Sequence, residues 1–336
     1  MRASPLISGF DAVLADLDGV VYAGPAAIPG AVEALNKLAD VNVKLAYVTN
    51  NASRTPAKIA AHLRELGAPA DDDQVVSSAQ AGAALLAQKL PQGSKVLVTG
   101  STALAQEVQA LGMAVVDGAA DAPDAVIQGF DPELGWRDLA EATFAIKGGA
   151  LWIATNTDMT IPQDRGIAPG NGTLVAAVRT AVGHDPLVAG KPEAPLFHTA
   201  ASRLGAKAPL VVGDRLDTDI LGGNNAGMAT ALVLTGVDSA EAALRSCTAQ
   251  RPTFIIDSMA QLFTAYPDVT FDGGTVTCGA AAARTTTDST GEQTVHIAGN
   301  PEDSDSWRAA CAAWWAAVPD TDQATAPGLV WHTELP

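Results

Sequence analysis

The sequence predicts an α/β chain built on a doubly wound, Rossmann-like parallel sheet, with an inserted α/β domain and a small α+β appendage at its C-terminal end. Three observations lead there. Five short runs, Ala12–Ala15, Val43–Val48, Val96–Val98, Leu151–Ala154 and Leu210–Val212, are near-continuously apolar, as strands buried on both faces of a parallel sheet must be. Each runs into Asp, Thr, Asn or Gly. Between them, segments such as Gly30–Ala39 and Thr55–Leu66 carry the amphipathic spacing of helices, and that alternation marks a doubly wound domain. The third observation is a repeat in outline: Gly30–Asn51 reads helix, strand, Thr-Asn-Asn, and Gly135–Asp158 reads helix, strand, Thr-Asn-Thr-Asp.

The chain has 336 residues, enough for two or three domains at roughly 100–200 residues each. The repeat places one α/β unit inside another. The expected division is a core formed by residues 1–79 and 184–264, an inserted cap at 80–183, and a small domain at 265–336. In that last segment the composition changes: ten acidic against two basic residues, and four of the six Trp. Short runs at Gly274–Ala280 and Gln293–Ala298, a helix at Ser304–Val318 and a strand at Leu329–His332 are expected there.

With 48% hydrophobic and 17% charged residues the composition is that of a folded globular protein. Twenty basic and 37 acidic residues leave a net charge of −17, which repels nucleic acid and anionic membrane at long range. An anionic substrate would need that field reversed locally by a metal ion or a buried Lys. Asp11 and Asp16 interrupt the apolar beginning, and no stretch approaches the roughly 20 apolar residues of a membrane span, so a cytoplasmic protein is expected. Cys247, Cys278 and Cys311 show no CxxC spacing, and the five histidines show neither HxxxH nor HExxH.

The chemistry concentrates at the strand ends, where open parallel sheets bind ligands. Asp16-Leu17-Asp18-Gly19 follows the first run and offers two carboxylates, with Gly19 permitting a sharp turn. Thr49-Asn50-Asn51 follows the second, either as a cradle for phosphate oxygens or as a cap for the helix starting near Thr55. Lys191, fixed between Gly190 and Pro192, can neutralise a phosphate. After the last run, Gly213-Asp214-Arg215-Leu216-Asp217-Thr218-Asp219 brings three acids together. Such acids repel unless they share a cation, and oxygen-only ligands favour Mg²⁺ over zinc. Gly100-Ser101 reads as a second phosphate loop or as a plain connection.

Taken in order, DxDGV, TNN, KP and GDRxDTD resemble the haloacid dehalogenase superfamily of aspartate-dependent phosphatases. The pieces VTNN, ATNTD, GKP and GDRLDTDI are similar to its NagD-type branch, which includes 4-nitrophenylphosphatase-like and glycerol-phosphate phosphatases. The resemblance covers about residues 9–262 and not the last 72 or so.

It implies a Mg²⁺-dependent phosphomonoesterase. Asp16 would be the nucleophile and Asp18 the general acid and base, its backbone carbonyl joining Asp16 and Asp214 around the metal. Thr49, Asn50 and Lys191 would hold the phosphoryl group, with Asp219 orienting metal waters or Lys191 and Asp217 a weaker candidate for the same work. Thr49 and Lys191 are 142 positions apart, so the insert lies between the second and third motifs, matching the family's larger α/β cap. On that cap Asn156, Arg165 and Asp158 with Pro169-Gly170-Asn171-Gly172 are candidates for substrate contact, Asp158 equally for bracing that loop.

The implied substrate is a small cytosolic phosphate, glycerol 3-phosphate first, then phosphoglycolate or another sugar or nucleotide phosphate. A homodimer through the cap is also suggested. A dehalogenase would have no use for Asp18, and the cap position disfavours a mutase. The non-catalytic alternative is a sensor whose acidic tail engages a partner, with Trp314 and Trp315 as an exposed anchor or, more simply, as the core of a small domain.

Overall fold

The computed structural model describes residues 4–51, 54–163 and 165–335; the first three residues of the amino-terminal segment and Pro336 of the last lie outside them. The chain divides into two compact units, Met1–Leu45 with Ala206–Pro336, and Ala46–Gly205.

In the first unit, strands Phe254–Ile256, Ala229–Val233, Pro209–Gly213 and Ala12–Ala15 lie side by side in that order, all parallel. Ala12–Ala15 is buried throughout, as its uninterrupted apolar run requires. Ala15 lies opposite Val212, and the Asp16 N–H donates to the Val212 carbonyl at 2.9 Å, so Asp16 and Asp214 leave adjacent strands at the same edge.

The same unit holds the C-terminal α+β segment. Val269–Asp272, Thr275–Cys278, Ala281–Thr287 and Gln293–Ala298 form an antiparallel meander. Helix Ser304–Ala317 then crosses back so that Gly328–His332 pairs parallel with Gln293–Ala298. Two of these strands were not expected. Ala281–Thr287 reads Ala-Ala-Ala-Arg-Thr-Thr-Thr, which carries no contrast of large apolar and polar residues, yet its Ala side chains alternate into the core. Trp314 is buried and Trp315 partly so within the cluster under this sheet, which makes the Trp pair core.

In the second unit, strand Lys44–Thr49, most of which belongs here, pairs parallel with Val75–Ser77, with Thr49 opposite Ser77. Helix Pro56–Glu65 follows, with Pro at its first position and the Thr55 hydroxyl accepting the Lys58 N–H at 3.4 Å. The cap is thus Thr55 itself, which leaves Thr49 and Asn50 out of that role. A second parallel sheet runs Leu187–Val188, Leu151–Ala154, Ala125–Gln128, Lys95–Thr99, Ala114–Val116. Helices sit on both of its faces. Ile127 packs against Gly82 of helix Ser78–Lys89, while Val126, Trp152 and Ala154 on the opposite face cluster with Ala142 of helix Trp136–Lys147 and with Val175 and Val178 of helix Asn171–Val182. The Ser101 hydroxyl accepts the Leu104 N–H at 3.3 Å and starts helix Thr102–Ala110, so Gly100-Ser101 is a helix entry. Among the described residues no helix is long and apolar enough to cross a membrane.

Ile127 is fully buried where the second sheet meets its helices. Replacing it with Ala should lower the unfolding free energy by about 2–5 kcal/mol in a urea titration, through lost burial plus the cavity left behind.

Candidate active site

At the edge of the first sheet, Asp16, Asp214 and Asp219 each place a carboxylate oxygen within 4.8 Å of the other two. Asp214 and Asp219 are buried and Asp16 partly so. The backbone helps make this possible. Beyond Gly213 the chain makes one wide turn, Leu216–Ile220, in which the Ile220 N–H reaches the Arg215 carbonyl at 3.1 Å, five residues back. Wide turns of this kind recur at functional sites because they rotate a side chain off the regular helix face. Here the turn aims Asp219 back toward the strand end, where its Oδ2 accepts the Arg215 N–H at 3.2 Å.

Glycines make the room. A Cβ on Gly213 would sit 2.1 Å from the Asp219 Cβ, and one on Gly236 would sit 2.0 Å from the Asp214 Oδ2. Gly19, at φ +78°, would press a Cβ to 2.2 Å from the same oxygen. Asp214 Oδ2 also accepts the Val237 N–H at 2.8 Å, and its carbonyl accepts the Asp238 N–H at 3.0 Å. Thr235 donates its hydroxyl to the Gly19 carbonyl at 2.7 Å, tying the Thr235–Asp238 loop to the turn that bears Asp18.

Gly236, Thr235 and Asp238 were absent from the sequence reading. The available signal was a polar Thr-Gly-Val-Asp stretch shortly after strand Ala229–Val233, the same pattern as the motifs that were recognised.

Asp18 is exposed, held in a tight turn by the Gly19 N–H on the Tyr22 carbonyl at 2.9 Å, and its carboxylate is not part of the three-acid group. Asp217 is exposed and takes the Arg215 guanidinium at 3.0 and 2.8 Å. That hydrogen bond, with the charges of Asp217, Asp219 and Asp214 adding to it, holds Arg215 above its ordinary pKa against the opposing effect of burial.

The second unit gathers the other candidates around Asn50. Its Nδ2 donates to both Asp158 oxygens at 3.1 and 3.2 Å and to the Lys191 carbonyl at 3.1 Å. Its Oδ1 accepts the Lys191 N–H at 2.7 Å, and its carbonyl accepts from Asn156 Nδ2 at 2.8 Å and the Ser78 hydroxyl at 2.7 Å. Asn171 continues the chain of contacts by donating to the Asn156 carbonyl at 2.7 Å. Lys191 is only 3% exposed and Thr49, at the end of its strand, 8%.

Asp158 therefore spends its side chain on Asn50 and its carbonyl, through the Gly172 N–H at 2.8 Å, on the Gly170-Asn171-Gly172 loop. Arg165 is exposed in the turn between Thr160–Gln163 and Gly166–Pro169, outside this network. Among the candidates the structure brings together Asp16, Asp214 and Asp219 in one unit, and Asn50, Asn156, Asp158 and Lys191 in the other.

Comparison with known proteins extends this picture. A family model described as haloacid dehalogenase-like hydrolase matches residues 13–114, and a second, HAD-hydrolase-like, matches 188–262. D-glycerol 3-phosphate phosphatase of Mycobacterium tuberculosis is 51% identical over 245 residues, 73% of this chain and 69% of that one. The crystal structure of glycerol phosphate phosphatase from Mycobacterium tuberculosis in complex with magnesium superposes with a TM-score of 0.83 at 41% identity, covering 99% of this chain and 96% of the other. That match includes the C-terminal segment, which the sequence resemblance had left out. The p-nitrophenyl phosphatase from Archaeoglobus fulgidus gives 0.67 at 29% identity and covers 76% of this chain and 98% of its own.

A Cβ at Gly190 would lie 2.5 Å from Asn50 Oδ1 and 2.6 Å from the Thr155 carbonyl. Gly190→Ala should therefore break the Asn50–Lys191 link and cost about 1–3 kcal/mol in denaturant unfolding, whereas Gly183→Ala, with open space around it but φ +89°, should cost only its backbone strain, roughly 1 kcal/mol.

Proposed function

This chain belongs to the haloacid dehalogenase-like hydrolases, and from that premise we propose that it is a Mg²⁺-dependent phosphomonoester hydrolase acting on a small phosphorylated metabolite, glycerol 3-phosphate before others. The observation that carries the reading is the three-carboxylate group beyond the ends of two adjacent parallel strands. Phosphatases of glycerol phosphate among the similar proteins support the substrate class.

The donor set fits a hard divalent cation. All three ligands are carboxylate oxygens, two of them withdrawn from water, and Gly19 and Gly236 keep the space beside Asp214 open where any side chain would fill it. We assign Asp16 and Asp214 as ligands together with the Asp18 carbonyl. The distance of Asp219 from the other two supports a role as a further ligand or as the group that orients one. When bound, Mg²⁺ would supply positive charge to the phosphoryl oxygens and offset the mutual repulsion of the acids.

In this mechanism an Asp16 carboxylate oxygen attacks phosphorus, the bond from phosphorus to the ester oxygen breaks, and Asp18 gives its proton to the leaving alkoxide. Asp18, now ionised, takes a proton from water, whose oxygen attacks phosphorus as the bond from phosphorus to the Asp16 oxygen breaks, releasing inorganic phosphate and restoring the Asp16 carboxylate. Exposure of Asp18 suits a group that must trade protons with water and leaving group in turn. Thr49, Asn50 and Lys191 would bind the transferring phosphoryl group, with the Asn50 contacts fixing the Lys191 backbone so that its charge is pre-positioned. Residues 80–183 would act as a cap, with Asn156 and Arg165 as substrate contacts, on a core of residues 1–79 and 184–264.

Asp16→Asn should reduce phosphate release from glycerol 3-phosphate by at least about a thousandfold while leaving the fold intact by circular dichroism. Activity near the wild-type level would remove the nucleophile. EDTA should abolish turnover and excess Mg²⁺ restore it. Across a panel of glycerol 3-phosphate, phosphoglycolate, sugar phosphates and nucleotides, glycerol 3-phosphate should show the highest kcat/KM.

A further inference from the structure

One hydrophobic cluster in the first unit is shared by two parts of the chain that the sequence keeps apart. From the parallel-sheet part it contains Leu216, Ile220, Leu232 and Ile255; from beyond residue 265 it contains Val295, Ile297, Cys311 and Trp314 among others. Leu216 and Ile220 are the first and last residues of the wide turn that carries Asp219, and both are buried. Residues of the C-terminal segment supply the larger share of that cluster.

Polar contacts fasten the same seam. Arg308, on helix Ser304–Ala317, puts its Nε and Nη2 on the Ile255 carbonyl at 2.9 and 2.6 Å. Trp315 Nε1 donates to the Leu244 carbonyl at 3.2 Å, and Arg251 Nη2 to the Val318 carbonyl at 2.7 Å. The segment also bears on the turn by a second route. Helix Ser304–Ala317 packs along helix Ala240–Arg245, with Cys311 Sγ 3.9 Å from the Ala240 carbonyl. Just ahead of that helix, the Asp238 carboxylate accepts the Leu216 N–H at 2.7 Å, and its own N–H holds the Asp214 carbonyl. Apolar packing and the Asp238 link thus both end on the residues flanking the carboxylates.

We propose that residues 265–336 are a positioning element for the three-carboxylate group: by fixing the turn Leu216–Ile220 they set Asp219, so that cation binding and the packing of helix Ser304–Ala317 are coupled. This rests on the reading of Asp16, Asp214 and Asp219 as the Mg²⁺ site. Coupling of this kind is reciprocal. If the packed helix tightens Mg²⁺ binding, bound Mg²⁺ must protect the helix.

Hydrogen exchange of the full wild-type chain with and without Mg²⁺ tests this directly. Amides of Leu216–Ile220 and of Ser304–Ala317 should slow together, and by more than those of Lys95–Thr99 in the other unit. By calorimetry, Trp314→Ala should weaken Mg²⁺ binding at least about fivefold, and Trp314→Phe, which keeps most of the packing, should stay near wild type. A Trp314→Ala protein with a lowered Tm but an unchanged Mg²⁺ affinity, or protection that stops short of the helix while the wild type binds Mg²⁺, overturns the coupling alone. No Mg²⁺ uptake by the wild type overturns the metal site and the coupling together. Should Trp314→Ala not fold, the exchange result on the wild type decides.

Discussion

Three carboxylates held within 4.8 Å of one another are the constraint around which the first unit is built. Unit charges a few ångströms apart near a protein surface repel by roughly 4 kcal/mol, and burying two of the three worsens the cost. Backbone groups meet part of this cost. The Val237 N–H on Asp214 and the Arg215 N–H on Asp219 stabilise the ionised forms, and Gly19, Gly213 and Gly236 let main chain come closer than any Cβ would allow. A set of acids assembled in this way can take a cation without reorganising.

Asn50 does the corresponding work in the second unit by a different device. One primary amide uses both of its ends, donating to Asp158 and the Lys191 carbonyl while accepting the Lys191 N–H. Residues 108 and 141 positions away are thereby fixed to one side chain. An aspartate in its place would keep the acceptor but lose the donor, and would face Asp158 with a second negative charge. The amide is the group that satisfies both neighbours, which is why an Asn at this strand end means more than a polar residue in a loop.

Much of this was legible in the sequence because buried parallel strands leave little choice. Ala12–Ala15, Leu151–Ala154 and Leu210–Val212 are apolar on both faces, so their ends, and the Asp, Asn and Thr placed there, announce themselves. Strands with less side chain to show were not legible. Ala114–Val116 and Leu187–Val188 are too short for a pattern, and Ala281–Thr287 is built from residues whose polarity barely alternates. The supporting loop at Thr235–Asp238 was missed for another reason: what it contributes is mainly backbone, an N–H here and an absent Cβ there, and neither has a side-chain signature. Nor does composition reveal that the acidic C-terminal segment shares a core with the turn Leu216–Ile220. Its charges lie mostly on the outside, while Ala and Trp, which any small domain would need, make the joint.

The net charge of −17 bears on what can approach the protein. A field of that sign draws cations toward the protein and works against the approach of an anion. Lys191 is almost wholly withdrawn from water, and a charge so placed is screened little by salt. Its backbone is pinned by Asn50 through both its N–H and its carbonyl, so the side chain starts from a fixed point.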